Sequence, residues 1–352
     1  MKFRVELSLS LWIAFFLFAA SIPSSFAQTF SASLAGVVTD PSGSAVSGAK
    51  IHLRNMGTNE LRDAVSSGVG SYKFDNLLPA TYEITAEAQG FKTYHQTNMI
   101  LRANTAATIN VPLVIGGTEQ RVEVTAEAIL LDTQSATNLV TLDSHLIESL
   151  PNSYRSPLNF VFALAGTTEA QSGMTSRSNS FDQNASMFGI NGGRTGNAQI
   201  LIDGAPSTAV DWGGLLVSPT NDAVQEQQVV QNVYDAQYER SGAGVVTLIT
   251  KSGTNAFHGE VYDYMRNSAL DANTWSNGHF GAPKGLFHRN QFGGNLGGPI
   301  LKNRLFFFAA YEGLRQPETD STSATVPTSA MQNGDFSALP YPIYNPFSTH
   351  QV

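Results

Sequence analysis

The sequence predicts a multi-domain chain built mainly of strands: a small antiparallel β-sandwich, a small α/β domain with extended loops, and then the first strands of a transmembrane β-barrel. Three observations predict it. From Leu34 to about Val114, short apolar runs alternate with period two and are cut by turn residues, with no helical period of adequate length. From about Leu131 to Ser252, strand-like and helix-like segments alternate around long polar loops. After Thr254 the runs are rich in glycine and phenylalanine; NQFGGNLG places polar and apolar residues on opposite faces, and RLFFFAAYEGL is apolar on both.

Composition narrows the function. The 352 residues carry 20 Lys and Arg against 28 Asp and Glu, a formal charge of −8, and no cysteine. With 14% charged and 10% aromatic residues, neither wholesale disorder nor a coiled coil fits. An acidic chain lacks the electrostatic footprint for a phosphate backbone, so no nucleic acid partner is expected. The missing cysteines exclude disulfide frameworks, Fe–S clusters, thiolate zinc sites and a cysteine nucleophile.

The first segment reads as an address. Lys2 and Arg4 precede the apolar run Leu9 to Ile22, and Ser25-Phe26-Ala27 supplies small residues where a signal peptidase cuts, so residues 1–27 are expected to be a secretory signal peptide. That run is shorter than the ~20 residues a helix needs to cross a bilayer. Any membrane span is therefore expected to be built from strands.

The sandwich is expected over residues 28–115, with strands in SLAGVVT, AKIHLRN, SYKF, TYEITAEA, TYHQTNMIL and TAATINVPLV and about seven strands in all. Spacing by two marks Val37, Ile51, Leu53, Tyr72, Phe74, Tyr82, Ile84, Ile109, Val111 and Leu113 as inward. Gly116-Gly117 ends it and opens a linker, 116–132. Within the linker, Val122-Glu123-Val124-Thr125-Ala126 alternates in a way that suits either an ordinary edge strand or a segment that adds to another protein's sheet.

Residues 133–253 form the α/β domain. A helix from Asp143 stops at Pro151, a second apolar stretch (SPLNFVFALAG) stops at Gly166, and a polar segment from Thr167 to about Asn197 reads as loops. FGINGGR, QILIDGAP, a helix over DAVQEQQVV and the strand GVVTLITKSGT follow. His145 and Glu148 stand at metal-ligand spacing, but no third ligand or base has a recognisable signature, so no metal site and no cofactor is expected. No GxSxG elbow or phosphate loop is present either, and the chain reads as a non-enzyme. In NQFGGNLG, Phe292 and Leu296 point one way and Gln291 and Asn295 the other, the lipid-out, lumen-in pattern of a membrane strand.

Motifs then add a resemblance. Gly36-Val37-Val38-Thr39-Asp40, Gly70-Ser71-Tyr72-Lys73-Phe74, Leu78-Pro79 and Gly90-Phe91 resemble the carboxypeptidase regulatory-like domain, which implies a transthyretin- or Ig-like sandwich without peptidase activity, in some cases carbohydrate-binding. Phe188-Gly189-Ile190-Asn191-Gly192-Gly193-Arg194, Leu201-Ile202-Asp203-Gly204 and Thr250-Lys251-Ser252-Gly253-Thr254-Asn255 resemble the plug of TonB-dependent outer-membrane transporters. Asn290 to Ile300, Phe306-Phe307-Phe308 and Tyr311-Glu312-Gly313 resemble the Oar-like subgroup, whose order of sandwich, plug and barrel is the order seen here. On this resemblance Val122, Glu123, Val124, Thr125 and Ala126 form the TonB-box candidate, and the plug motif comprises Asn191, Gly192, Gly193, Arg194, Asp203, Gly204, Lys251, Ser252 and Gly253. Arg194, Asp203, Glu226, Arg240 and Lys251 are candidate polar plug contacts.

The resemblance implies energised uptake of an unidentified ligand, a glycan or peptide among the classes left open. The partners would be a TonB-like periplasmic energy-coupling protein and outer-membrane lipid. The location would be the outer membrane of a Gram-negative-type bacterium, with the N-terminal domain in the periplasm. A barrel of this family needs about 22 strands of roughly 10 residues, whereas residues 254–352 hold perhaps four, so an N-terminal fragment with an incomplete barrel is expected. The alternative is a secreted or surface-attached protein that binds a carbohydrate or partner without transport.

Overall fold

The computed structural model describes residues 30–117, 121–124, 139–152, 155–169, 188–210, 213–231, 238, 242–317, 326–340 and 347. The expected signal peptide lies outside them. The chain divides into two compact units, residues 1–262 with 293–312 and residues 263–292 with 313–352.

The first domain places two sheets around one core. Its strands are β1 (Ala32–Thr39), β2 (Lys50–Asn55), β3 (Leu61–Val65), β4 (Ser71–Leu77), β5 (Ala80–Glu87), β6 (Thr93–Leu101), β7 (Ala106–Thr108), β8 (Val111–Pro112) and β9 (Arg121–Val124). One sheet has the order β4-β1-β7 with β8 also on β1; the other runs β3-β2-β5-β6-β9. Leu34 and Val38 from one sheet meet Ile51, Leu53, Ile84 and Leu101 from the other, all essentially inaccessible to solvent. Complete burial of each such aliphatic side chain contributes about 1.5–3 kcal/mol.

Three details differ from the sequence reading. The sheets are mixed, because β7 and β8 pair parallel to β1 and β9 pairs parallel to β6. The expected single strand over TAATINVPLV is split into β7 and β8, and the Asn110 side chain fills the gap in the ladder by accepting from Val37 N at 3.2 Å. On β1 the inward set is Ala32, Leu34, Gly36 and Val38, so Val37 is out of phase by one residue. Gly36 explains the phase: a Cβ there would lie 1.7 Å from the Ile109 carbonyl oxygen and 2.9 Å from the Tyr72 ring. Only a residue without a side chain lets this backbone close up, and its apolar neighbours in sequence must then alternate around it.

The central domain carries β10 (Leu139–Asp143), β11 (Thr167–Glu169), β12 (Phe188–Ile190), β13 (Gln199–Ile202), β14 (Ala205–Pro206), β15 (Val224–Val230) and β16 (Val245–Thr250). Five of these form the sheet β10-β15-β16-β13-β14, and β11 pairs with β12. A short helix α1 (Ser144–Ser149) starts where expected, with Asp143 as N-cap accepting from Leu146 N at 3.0 Å, and a 3-10 turn covers Pro157–Ala163. Ile147, Leu158, Val161 and Phe188 cover the sheet residues Ile200, Val229, Val246 and Leu248.

The helix expected over DAVQEQQVV is instead a 3-10 turn, Asn221–Ala223, followed by strand β15. Glutamine and glutamate favour helix locally, but β15 is bonded on one side to β10 and on the other to β16. Pairing on both edges and burial on both faces override that local preference.

Three strands follow: β17 (His258–Asn267), β18 (His288–Leu301) and β19 (Leu305–Arg315), forming a sheet in that order. One face carries exposed apolar residues, Val261 and Met265 on β17, Leu296 and Ile300 on β18, and Leu305 and Tyr311 on β19, all about half exposed or more, with Asp263 exposed in the same phase on β17. Gln291 and Glu312 are buried on the other face. Among the described residues this sheet is open and no closed barrel is formed. In the second unit, Arg266 pairs with Asp271 at 3.2 Å and Lys284 Nζ donates to the Asp271 carbonyl at 3.0 Å, shaping the segment that holds helix α2 (Trp275–His279). A last short helix α3 (Ser329–Gln332) is capped by Thr328. Among the described residues no helix is long and apolar enough to cross a membrane, which does not bear on spanning strands.

Candidate functional site

The TonB-box candidate is a strand. Val122, Glu123 and Val124 lie in β9, which runs parallel to β6 with Tyr94 opposite Val122, His95 opposite Glu123 and Gln96 opposite Val124. Thr125 and Ala126 lie outside the described residues. The chain reaches β9 from an anchored stretch: Lys92 N donates to Val114 O at 2.8 Å and Gly116 N to Gly90 O at 3.1 Å.

The plug-motif residues build turns and joints. Asn191 (φ 51°) and Gly192 (φ 80°) both take left-handed conformations after β12, and Asn191 Nδ2 donates to Gln231 O at 3.3 Å. Gly193 packs where a Cβ would meet the Ala243 side chain at 2.6 Å, and Arg194 is exposed. Asp203 (φ 48°) and Gly204 (φ 78°) make the two-residue turn between β13 and β14, in which both positions require φ > 0. The Asp203 carboxylate also accepts from Thr250 N at 2.8 Å and Thr250 Oγ1 at 2.7 Å, clamping the end of β16 to that turn.

Lys251 Nζ donates to Glu148 Oε1 at 2.7 Å, so the glutamate of the His145–Glu148 pair is engaged in an ion pair while His145 is exposed. Lys251, Ser252 and Gly253 border a cavity of about 470 Å³ together with Ser144 and Gln225. At Gly253 a Cβ would lie 2.3 Å from Phe307 O and 2.7 Å from Gly298 O, so the backbone after the central sheet rests directly on β18 and β19. Glu226 is buried at 5% exposure and accepts from Gln228 Nε2 at 2.7 Å. Burial raises its pKa above the ordinary glutamate value. The same Gln228 bonds the first domain, donating to Ala103 O at 2.6 Å and accepting from Asn104 Nδ2 at 3.0 Å. Arg240 lies outside the described residues.

Sequence reasoning missed the most buried ionic cluster. Arg155 (φ 51°) pairs with Asp222 and lies 3.6 Å from Glu312, with its guanidinium 4.6 Å from the centre of the Tyr262 ring. Tyr262 donates its hydroxyl to Glu312 at 3.0 Å, and the Glu312 side chain is wholly inaccessible. The available signal was Glu312 itself, a carboxylate in the otherwise apolar run LFFFAAYEGL, which needs a cationic partner if it faces inward.

Comparison with known proteins finds two matching families and several similar proteins. The carboxypeptidase regulatory-like domain family matches residues 33–114, and the family described as outer membrane beta barrel domain matches residues 249–352. The TonB-dependent transporter Oar of Myxococcus xanthus is 27% identical over 252 residues, covering 70% of this chain and 23% of that protein. This chain resembles the TonB-dependent transporter Oar. It spans about a quarter of the Oar length. Among solved structures, the siderophore receptor PirA from Acinetobacter baumannii is similar at 22% identity, covering 54% of this chain and 26% of its own, with a TM-score of 0.37. The ferric citrate transporter FecA in its unliganded form is similar at 15% identity, covering 52% and 26%, with a TM-score of 0.39. In this chain the β9 strand, the Asp203 turn and the Arg155 cluster all belong to the first compact unit.

Proposed function

We propose that this chain is the N-terminal part of a TonB-dependent outer-membrane receptor that takes up a ligand with energy delivered from the periplasm. The observation that carries the reading is the division of faces on β17–β19. Apolar residues such as Val261, Leu296 and Ile300 are bare on one side, whereas on the other Glu312 is buried against Arg155 of the central domain. A lipid-facing wall with a polar globule against its inner surface has these two properties.

The central domain then acts as the plug, and its connections suggest how a pull is transmitted. β10 is an edge strand, bonded only to β15 within its sheet, and it is the first element of that sheet after the box candidate. Tension applied at residues 122–126 loads β10 first. The end of β10 is Asp143, which caps α1, and α1 carries Glu148, which holds Lys251 beside Gly253. Displacing β10 therefore disturbs, in order, the helix cap, the Glu148–Lys251 pair and the backbone joint with β18 and β19.

The test uses the complete gene with a photo-crosslinking amino acid at Val122. Recovery in the outer-membrane fraction with a crosslink to TonB is the expected result. A product that stays in the soluble periplasmic extract, or sits in the membrane and gives no TonB adduct from any position in 122–126, overturns the proposal and leaves a surface binding protein without transport.

A further inference from the structure

We infer that the first domain is a holder for the TonB-box candidate: the outer edge of β6 binds β9 and withholds it from the energy-coupling protein until the strand is released. The inference rests on the reading of Val122 to Ala126 as the box, and adds to it a competing partner within the same chain.

Three observations carry it. First, β9 does not hang free between domains but completes a sheet. Residues Arg121 to Val124 take up register with Thr93 to Gln96, and β6 is otherwise the last strand of β3-β2-β5-β6. Strand addition to an open edge is the same mode by which a periplasmic protein would capture such a segment, and a strand has to offer its free main-chain groups to one template at a time along a given edge.

Second, the approach to β9 is fixed while the strand itself is short. Gly116 N is bonded to Gly90 O, Lys92 N to Val114 O, and Phe91 bridges Ile115, so the chain is pinned beside the start of β6. Pinning raises the effective concentration of β9 at the β6 edge and makes docking an intramolecular event. With only four residues paired, the docked strand is still cheap to displace. Third, the β6 residues under β9 are built as an interior surface. Tyr94, His95 and Gln96 are each under one-tenth exposed, and Tyr94 Oη donates to Gln96 Oε1 at 2.7 Å. That burial is found with β9 in place, and Thr93 to Gln96 include no Lys, Asp or Glu, the charges by which an open edge strand is commonly protected.

The experiment exploits the absence of native cysteine. The opposed pair Gln96→Cys and Val124→Cys, and independently Thr93→Cys and Arg121→Cys, is placed in the full chain purified in detergent. Neighbouring strands bring such residues within disulfide range. The probe is the purified periplasmic C-terminal domain of the TonB protein from the same bacterium, and its affinity is measured before and after oxidation and again after dithiothreitol. A chain deleted for residues 122–126 is measured in parallel.

The expected result is ready disulfide formation in both pairs and at least tenfold weaker binding when the Gln96–Val124 pair is oxidised, restored on reduction. Failure of both pairs to crosslink overturns the docking. Equal affinity in the two redox states, with binding lost in the deletion, overturns the withholding but leaves the box reading intact. Binding absent from every chain, deletion and reduced alike, overturns the box reading and with it this inference.

Discussion

Arg155 Nε stands 3.6 Å from Glu312 Oε2, joining the segment ahead of the 3-10 turn Pro157–Ala163 to the inner face of β19. Asp222 shares the same guanidinium, so two carboxylates lean on one cation, with the side chains of Arg155, Asp222 and Glu312 at 11%, 7% and 0% exposure. Replacing Arg155 by Met leaves both acids buried without their cation, and a loss of about 3–5 kcal/mol is expected. Glu312→Gln alone, which keeps the Arg155–Asp222 pair, costs less. Unfolding in detergent followed through tryptophan fluorescence checks the order, and equal losses would show that Glu312 rather than Arg155 organises the cluster.

Glu226 gives a pH dependence of known sign. Its carboxyl is raised above the ordinary 4.5, by burial foremost, with Asp143 acting in the same direction and Gln228, Ala103 and Arg102 opposing. The folded state therefore holds the proton more tightly than the unfolded chain does. Its contribution is complete below pH 4.5 and is lost as pH rises through the folded value. Glu226→Gln is expected to remove that slope and to raise stability at pH values above the folded pKa, where the buried carboxylate is charged. Melting temperatures of both proteins between pH 4 and pH 8 test this, and a slope that survives in the variant assigns it elsewhere.

Gln227 is fully buried on β15, and neither polar atom of its amide has a hydrogen-bond partner among the described residues. An unpaired buried amide costs about 1–3 kcal/mol. Gln227→Met, similar in length, is expected to leave the fold intact and to stabilise it by an amount in that range. A destabilised variant in denaturant titration would reveal a partner such as an internal water.

Gly36→Ala is expected to be severe. A methyl group there meets the Ile109 carbonyl oxygen at 1.7 Å, and accommodating it means separating β1 from the Ile109–Asn110 crossing. Overpacking of backbone against backbone costs roughly 3 kcal/mol or more. Loss of protease resistance across residues 33–114 reads the effect, while Val37→Ala, one residue away and half-buried, is expected to cost less.

Much of this was legible in the chain. Alternation located β1, β2, β4, β5 and β6, because a sheet with one buried face imposes a period of two. The Asp143 cap and Pro151 bound α1. The phase of β1 was misread because Val37 and Val38 are equally apolar, and only Gly36, through its close approach to Ile109, decides between them. β15 departs from the helix its sequence suggests because strands on both sides hold it, β16 next in the chain and β10 from a segment far earlier. Of the ionic cluster only Glu312, a lone carboxylate in an apolar run, leaves a trace in the sequence; Arg155 and Asp222 share no motif with it, and only folding brings the three together. For the box candidate, alternation was compatible with a docked edge strand and with a free tether, and the choice lay in β6, a neighbour whose exposed edge no local pattern describes.

Gly253 bears on the order in which the chain is assembled. Its turn touches the carbonyls of Gly298 and Phe307, which are synthesised much later, and contacts so distant in sequence are made only after a long loop has closed. The joint at Gly253 therefore closes late, once the hairpin of β18 and β19 has come back onto the end of the central sheet.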